Sequence, residues 1–349
     1  MRHGLAICML LLASAMAFGQ TPQTVPFDHA AYEAQMRMLM AEALAKVDPA
    51  LPEYEPPADL NGRITTIGVD GLNNILTLAA DRFVQHHPQV QFEIEGKGGS
   101  TAPPRLFTNT ISFGTMTRRY NDRELGPFVE KYGYEPTYFL VTWDVLAVWV
   151  HKDNPIRSLT LAQLDAIFSK ERKRGHPDDI TTWSQLGLEG DWAGRPITLH
   201  GRNMASGTFG CFIRTALDGG RPKDSYTQHP GSAKTVEAIA ADVAAIGFTG
   251  IGYAADGVRA VPIVTEPGGV AVSPEFAAAM EGRYPLARPF YLVLNHKPGD
   301  TLDPLRAAFL HLLYSKTGQA VIALDGYPPL PAAIARGQLQ QIDKPAADH

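Results

Sequence analysis

The feature that most constrains this chain is a regular alternation of short apolar strand-like runs with helix-like stretches. Residues 64–69 read as a strand, and Leu72, Ile75, Leu76, Ala79 and Phe83 follow as a helical stripe closed by Pro88. Residues 90–95 read as the next strand, followed by a glycine loop and a helix opened by Pro103 and Pro104. A short strand at 111–114, a long apolar strand at 145–150, a helix at 161–168, a strand at 197–200 and a helix at 206–217 continue the pattern. A buried strand within 246–253, a strand at 290–295 and a helix at 302–317 complete it. Such alternation predicts a mostly parallel sheet covered by helices. A single core rarely grows beyond roughly 250–300 residues, so 349 residues predict two α/β lobes. No internal repeat or low-complexity run interrupts them.

The ends read differently. Arg2 and His3, the apolar run 5–13 and Ala15-Met16-Ala17 have the order of a secretory signal with an A-x-A cleavage site, so residues 1–17 are expected to be removed and the protein to be periplasmic and soluble. Cys8 lies inside that leader, which leaves Cys211 as a lone thiol, expected to be buried and inert. Residues 18–61 form an extension: a helix over 28–47 with Tyr32, Met36, Leu39 and Ala43 on one face, then a rigid stretch with Pro49, Pro52, Pro56 and Pro57. That helix either docks on the body or a partner, or is loosely held. A net charge of −5 argues against a nucleic-acid or anionic-membrane surface, though not against a small anion in a local pocket.

Three strand-to-helix junctions share one character: glycine, small residues and hydroxyls at a helix start. They are Asp70-Gly71, Gly98-Gly99-Ser100-Thr101 and Ala205-Ser206-Gly207-Thr208. A helix N-terminus offers unpaired N–H groups and the positive end of its dipole. Glycine admits an anion close to that backbone, and Ser and Thr add donors, so the three together make an anion cradle without a metal or cofactor. Each junction alone reads as ordinary capping; it is their common placement at the carboxyl ends of strands, where α/β sheets bind ligands, that points to a site. Arg202, four residues before Ser206, is placed to grip two oxygens of a tetrahedral anion.

The segment Arg202-Asn203-Met204-Ala205-Ser206-Gly207-Thr208 resembles the R-x-x-x-S-G-T signature of the phosphate-binding proteins of bacterial ABC phosphate transporters. Residues 159–168 with Trp183, Ala245-Ile246-Gly247, residues 250–253, Tyr284-Pro285-Leu286-Ala287-Arg288-Pro289 and Gly326-Tyr327-Pro328-Pro329-Leu330 extend the likeness across about 62–332. The resemblance implies a two-lobed type II periplasmic-binding-protein fold with a two-crossing hinge. It places lobe I at 62–148 plus 260–332 and lobe II at 149–259, with a C-terminal tail at 333–349. It implies a phosphate site built from Asp70, Gly71, Ser100, Thr101 and Thr115 on one lobe and Arg202, Ser206, Gly207 and Thr208 on the other. The implied partners are inorganic phosphate and a membrane permease, with no nucleic acid and a monomeric receptor. Three positions depart from the family's usual residues. Ser112 stands where a carboxylate often accepts a proton from hydrogen phosphate, Gly71 lacks a hydroxyl, and Met204 stands where an acidic partner of the arginine often lies. Asp70 is read either as a helix cap or as the substitute for that missing carboxylate.

Competing readings are the same fold binding sulfate, arsenate or molybdate, an exported phosphatase-like enzyme, and a binding protein that uses its N-terminal extension. The enzyme reading lacks support in the sequence: His86-His87 are adjacent rather than at ligand spacing, and Ser206 is not in a G-x-S-x-G elbow.

Overall fold

The computed structural model describes residues 29–204, 206–266 and 268–343. The expected leader, its cleavage site and Cys8 therefore lie outside the described residues, as does Ala205 of the third junction. Met40 onward forms one compact unit and residues up to Leu39 another; the described part of the latter is the first stretch of helix α1 (His29–Leu44). Past Leu39, Ala43, Val47 and Leu51 are buried in a core, and the Asp48 carboxylate accepts from the Ala50 and Ala332 amides at 2.9 Å each. Those two amides hold the Asp48 carboxyl below its usual range. Of the two possibilities open for the extension, residues 40–51 thus take docking on the body.

The strands are β1 (Asn61–Gly68), β2 (Gln89–Gly96), β3 (Phe113–Met116), β4 (Thr137–His151), β5 (Leu159–Thr160), β6 (Thr198–Arg202), β7 (Thr227–His229), β8 (Ala245–Gly250), β9 (Val258–Ala260), β10 (Ile263–Val264), β11 (Ala271–Val272) and β12 (Ala287–Leu294). The helices after α1 are α2 (Asn73–His86), α3 (Ala102–Phe107), α4 (Asp122–Tyr132), α5 (Leu161–Phe168), α6 (Gly207–Thr215), α7 (Ser232–Ala241), α8 (Phe276–Met280), α9 (Pro304–Leu313), α10 (Lys316–Leu324) and α11 (Ala332–Asp343). Local chemistry explains many of the boundaries. Asn121 with Glu124 and Thr160 with Gln163 form capping boxes at the starts of α4 and α5, and Gly133 ends α4 in the left-handed conformation.

The large sheet runs β2-β1-β3-β12-β4-β8-β6-β7, with β9 added to β4. Two parallel blocks, β2-β1-β3 and β8-β6-β7, flank an antiparallel centre of β3-β12-β4-β8. β4 is the common member. Its residues 137–145 pair with β12, residues 146–150 pair with β8, and 149–151 pair with β9. The apolar run at 145–150 thus marks only the second half of a strand of 15 residues.

One core gathers β1, α2, β12 and α9 to α11 around Phe83, Phe113, Phe309 and Tyr314. Another gathers Phe168, Trp183, Phe212, Phe248 and Tyr284, with the Phe212 and Phe248 rings stacked at 3.7 Å. Trp183 satisfies its indole N–H on the Ala244 carbonyl at 3.0 Å. Cys211 is buried in the same core as expected, and that burial pushes its thiol up, away from the thiolate form. Two boundaries differ from expectation. Residues 261–286 pack with this second core, because β10 pairs parallel with β5 and carries Val261, Ile263, Ala278, Tyr284 and Leu286 there. The expected tail is instead helix α11, whose Ala335, Leu339 and Ile342 complete the first core.

Phe248→Ala removes a ring that stacks on Phe212 and lies beside Tyr226. It is expected to cost about 3–5 kcal/mol, read as a lower urea midpoint at unchanged slope.

Candidate functional site

The carboxyl ends of β1 and β6 and the turns beyond β8 and α10 converge on a cleft of about 300 Å³. Asp70, Gly71, Arg202, Ser206, Gly207 and Thr208 of the expected set line it. Each is placed there by local backbone chemistry. β1 ends at Gly68 with φ 145°, pressed so closely on β3 that a Cβ there would lie 2.0 Å from the Thr115 carbonyl oxygen. The chain then makes a 3-10 turn over Asp70–Leu72 before α2. The Asp70 side chain caps neither helix start; its carboxylate faces the opposite wall, 3.5 Å from where a Cβ on Gly207 would lie. Gly71 lacks a side chain because the Phe290 ring occupies the space, 2.8 Å from where a Cβ would stand.

On the facing wall Ser206 caps α6, its Oγ accepting from the Thr208 amide at 3.2 Å. The amides of the first turn of α6 therefore point toward the cleft with the helix dipole behind them. Arg202 ends β6, anchored through its own carbonyl, which accepts from the Tyr226 hydroxyl at 2.7 Å. Its Nη1 donates to the buried Ser232 Oγ at 2.8 Å and its Nη2 to the Pro230 carbonyl at 3.4 Å, while its buried Nε has no partner among the described residues. The acidic partner that Met204 displaces is thus replaced by a hydroxyl and a carbonyl, and Met204 itself points outward, 73% exposed. Held by neutral groups, the guanidinium keeps its full charge for the cleft.

Three expected residues stand apart from this lining. Thr115 is fully packed, its hydroxyl donating to the Val69 carbonyl at 3.3 Å, so it secures the first junction from behind. Thr101 donates to the Gly98 carbonyl at 2.7 Å and closes its own turn, and Ser100 is exposed on that turn. At the second junction, Thr101 thus spends its hydroxyl locally. Ser112 is also outside the cleft lining: its Oγ accepts from the Thr65 amide at 3.1 Å, beside β1.

The rest of the lining was not singled out from sequence. Asp144 of β4 and Arg288 of β12 face each other across the two strands, with Nε and Nη2 donating to one carboxylate oxygen at 3.0 and 2.9 Å. Asp144 is only 2% exposed. Burial pushes its carboxyl up, against the pull of Arg288, and the same guanidinium reaches on to the Gly207 carbonyl at 3.3 Å. Asn74, Ser232, Gly250, Tyr253, Asp325, Gly326 and Tyr327 complete the wall. Asn74 donates to Asp325, whose carboxyl burial nonetheless raises to about 6. The turns at Gly252 and Gly326 touch backbone to backbone, since a Cβ on Gly252 would lie 2.0 Å from the Gly326 carbonyl oxygen. Signals for several of these were present: Gly250, Tyr253, Arg288, Gly326 and Tyr327 sit in segments that carried the family likeness, and Asp144 and Arg288 are charges inside otherwise apolar strand runs.

The geometry defines a small-anion cleft at the strand ends of a two-walled α/β protein: helix amides and a guanidinium on one side, a carboxylate and a glycine turn on the other. The sequence profile of the PBP superfamily domain matches residues 55–317. The chain is 43% identical over 302 residues to the phosphate-binding protein PstS of Pseudomonas aeruginosa, covering 86% of this chain and 94% of that one. It is 25% identical to the phosphate-binding protein PstS of Bacillus subtilis, over 77% of this chain and 81% of that one. Among solved structures, a possible phosphate binding protein from Planctomyces limnophilus matches with a TM-score of 0.67 at 22% identity, covering 81% of this chain and 98% of that one. The chain belongs to the PBP superfamily and, within it, to the family of phosphate-binding proteins of ABC phosphate transporters, with the type II periplasmic-binding-protein fold.

Arg288→Ala strands Asp144 as an unpaired buried carboxylate and is expected to cost about 3–5 kcal/mol at neutral pH. Without the guanidinium the folded-state carboxyl, already raised by burial, rises further above its unfolded value. The folded state then binds more protons than the unfolded one, so stability falls as pH rises through that range and is partly regained on acidification. Urea unfolding at pH 5 and pH 8 checks this, with a smaller deficit expected at pH 5.

Proposed function

We propose that the protein is a substrate-binding receptor that captures inorganic phosphate in this cleft and delivers it to the permease of an ABC transporter. The observation that carries the reading is the convergence of Arg202, with its unpartnered buried Nε, and the capped start of α6 on one small cleft. The names of the relatives at 43% and 25% identity agree with phosphate as ligand. Guanidinium N–H groups and helix amides are donors matched to phosphate oxygens, and Asp70 opposite them supplies an acceptor for a phosphate proton. Sulfate has no such proton at neutral pH and would leave Asp70 facing its oxygens. That difference is the basis for selectivity.

Capture is a hinge closure. We assign one lobe to residues 62–145 with 287–342 and the other to 146–286, joined where β4 meets β12 and β8. The close approach of Gly252 to Gly326 and of Asp70 to Gly207 brings the walls together, and a ligand touching both favours that arrangement. Binding is reversible, with no turnover, and the receptor acts as a monomer. The leader at residues 1–17 directs it to the periplasm. Among the described residues no helix is long and apolar enough to cross a membrane.

Titration calorimetry of ligand-stripped protein tests the reading. Tight phosphate binding without competition from sulfate is expected at pH 7. Arg202→Ala is expected to weaken it by about 2–5 kcal/mol, roughly 30-fold to several thousand-fold. Unchanged affinity in Arg202→Ala would remove Arg202 from the site, and equal sulfate affinity would remove the proton-acceptor role from Asp70. Gly252→Val, outside the anion's reach, is expected to prop the walls apart and weaken binding at least tenfold while the urea midpoint stays near that of the parent.

A further inference from the structure

The charges lining the cleft do not balance for the ligand it is read to hold. Two guanidiniums, Arg202 and Arg288, stand against three carboxylates, Asp70, Asp144 and Asp325. Arg288 is already engaged with Asp144. What remains is Arg202 against Asp70 and Asp325, so a phosphate dianion would enter a lining with no surplus positive charge. Helix amides offset part of this, but a buried carboxylate with a free oxygen facing an anion is costly unless it is protonated.

Asp325 is the carboxylate whose surroundings suit that role. It ends α10, partly buried, with the Asn74 amide of α2 donating to its Oδ1 and no donor on its Oδ2 among the described residues. The other groups that face it are phenols: Tyr253 from the turn after β8, and Tyr327 two residues on. Burial raises both, so neither supplies charge near neutral pH. Arg202 acts electrostatically on Tyr253, and Asp144 and Arg288 act on Tyr327. Among the described residues no cation contacts the Asp325 carboxylate. Asp144 is compensated by its arginine, and Asp70 faces Gly207 at the α6 start, so Asp325 is the acid left to absorb the mismatch.

We propose that Asp325 takes up a proton from solvent when phosphate binds, so that the cleft receives the dianion together with one proton held on the protein. The new O–H bond forms on Oδ2, and that hydrogen donates to a phosphate oxygen; the complex gains one negative charge rather than two. This role is additional to that of Asp70 and rests on the phosphate-receptor reading above. In the ligand-free protein Asp325 titrates at about 6, already close to the range where an incoming anion would protonate it. Phosphate capture is thereby linked to pH: affinity falls as pH rises, because the proton must be drawn from an increasingly dilute pool.

The test is phosphate titration calorimetry at pH 8.5, where free phosphate is overwhelmingly the dianion, in two phosphate-free buffers of different ionisation enthalpy. The parent should take up between a half and one proton per phosphate, and its Kd should rise up to about tenfold from pH 7.5 to 8.5. Asp325→Asn, which keeps the shape and a group to meet Asn74, should show little uptake and a flat Kd over that interval. A second variant, Asn74→Ala, removes the hydrogen bond that lowers Asp325. It should leave more of Asp325 protonated before binding at pH 6.5, where free phosphate is mostly the monoanion, and so shift the exchange there toward net proton release while preserving uptake at pH 8.5. A parent that binds phosphate without proton uptake, or an Asp325→Asn variant with the parent's uptake, overturns the proposal and leaves the receptor reading intact. A parent that binds no phosphate at any of these pH values overturns both.

Discussion

The ion pair between Asp144 and Arg288 sits where the sheet's two halves meet, and much of the site depends on it. Both residues lie on strands, directly opposite in register, so their spacing is fixed by the β4–β12 ladder rather than by flexible side chains. A buried carboxylate that deep is tolerable only with a partner, and the partner in turn reaches the Gly207 carbonyl at the start of α6. One guanidinium therefore ties the central strands to the helix that supplies the cleft's amides. Removing it would loosen the floor and one wall together.

Above that floor the cleft is built mainly from main chain and neutral polar groups. Ser206 spends its hydroxyl on capping α6, and Arg202 is held by Ser232 and the Pro230 carbonyl rather than by an acid. An acidic partner would have cancelled part of the arginine's charge. Neutral holders position the guanidinium and leave its field for an anion. The glycines contribute by absence: Gly71 makes room for Phe290, and Gly252 and Gly326 let two turns meet at backbone distance. Small residues at these points set how near the walls come.

Much of the fold was legible because strand and helix periods are written in the apolar residues: β1, β2, α5 and α6 fall close to their expected spans. The wall made of Arg202, Ser206, Gly207 and Thr208 was legible because it is contiguous in sequence and each residue type has a reason to be at a helix start. Asp144, Arg288 and Asp325 were not, since they come from three distant segments and become neighbours only through the antiparallel β4–β12 pairing and the end of α10. That pairing joins strands far apart in the chain, and no local pattern announces it. Ser100 and Thr101 lie apart from the cleft lining, and the sequence could not separate the cases: a hydroxyl-rich glycine turn looks the same whether it serves a ligand or closes on itself, as Thr101 does on Gly98. The expected boundary at 260 missed because two-residue strands such as β5 and β10 carry too little periodicity to be seen, yet their pairing decides which core residues 261–286 join.

The length of β4 has a further consequence, for how such a chain can evolve. Its 15 residues serve as one ruler for both halves of the sheet, and beyond the bulge where Leu140 and Thr142 pair with the adjacent Tyr291 and Phe290, its side chains alternate faces through Asp144 into the pairing with β8. A single residue inserted or lost near Asp144 would turn every later side chain of the strand to the opposite face. Loops elsewhere in the chain can lengthen one residue at a time, but this strand cannot. Lineages of this protein should therefore vary freely in their connecting turns while the spacing from Thr142 to His151, beyond the bulge, stays fixed.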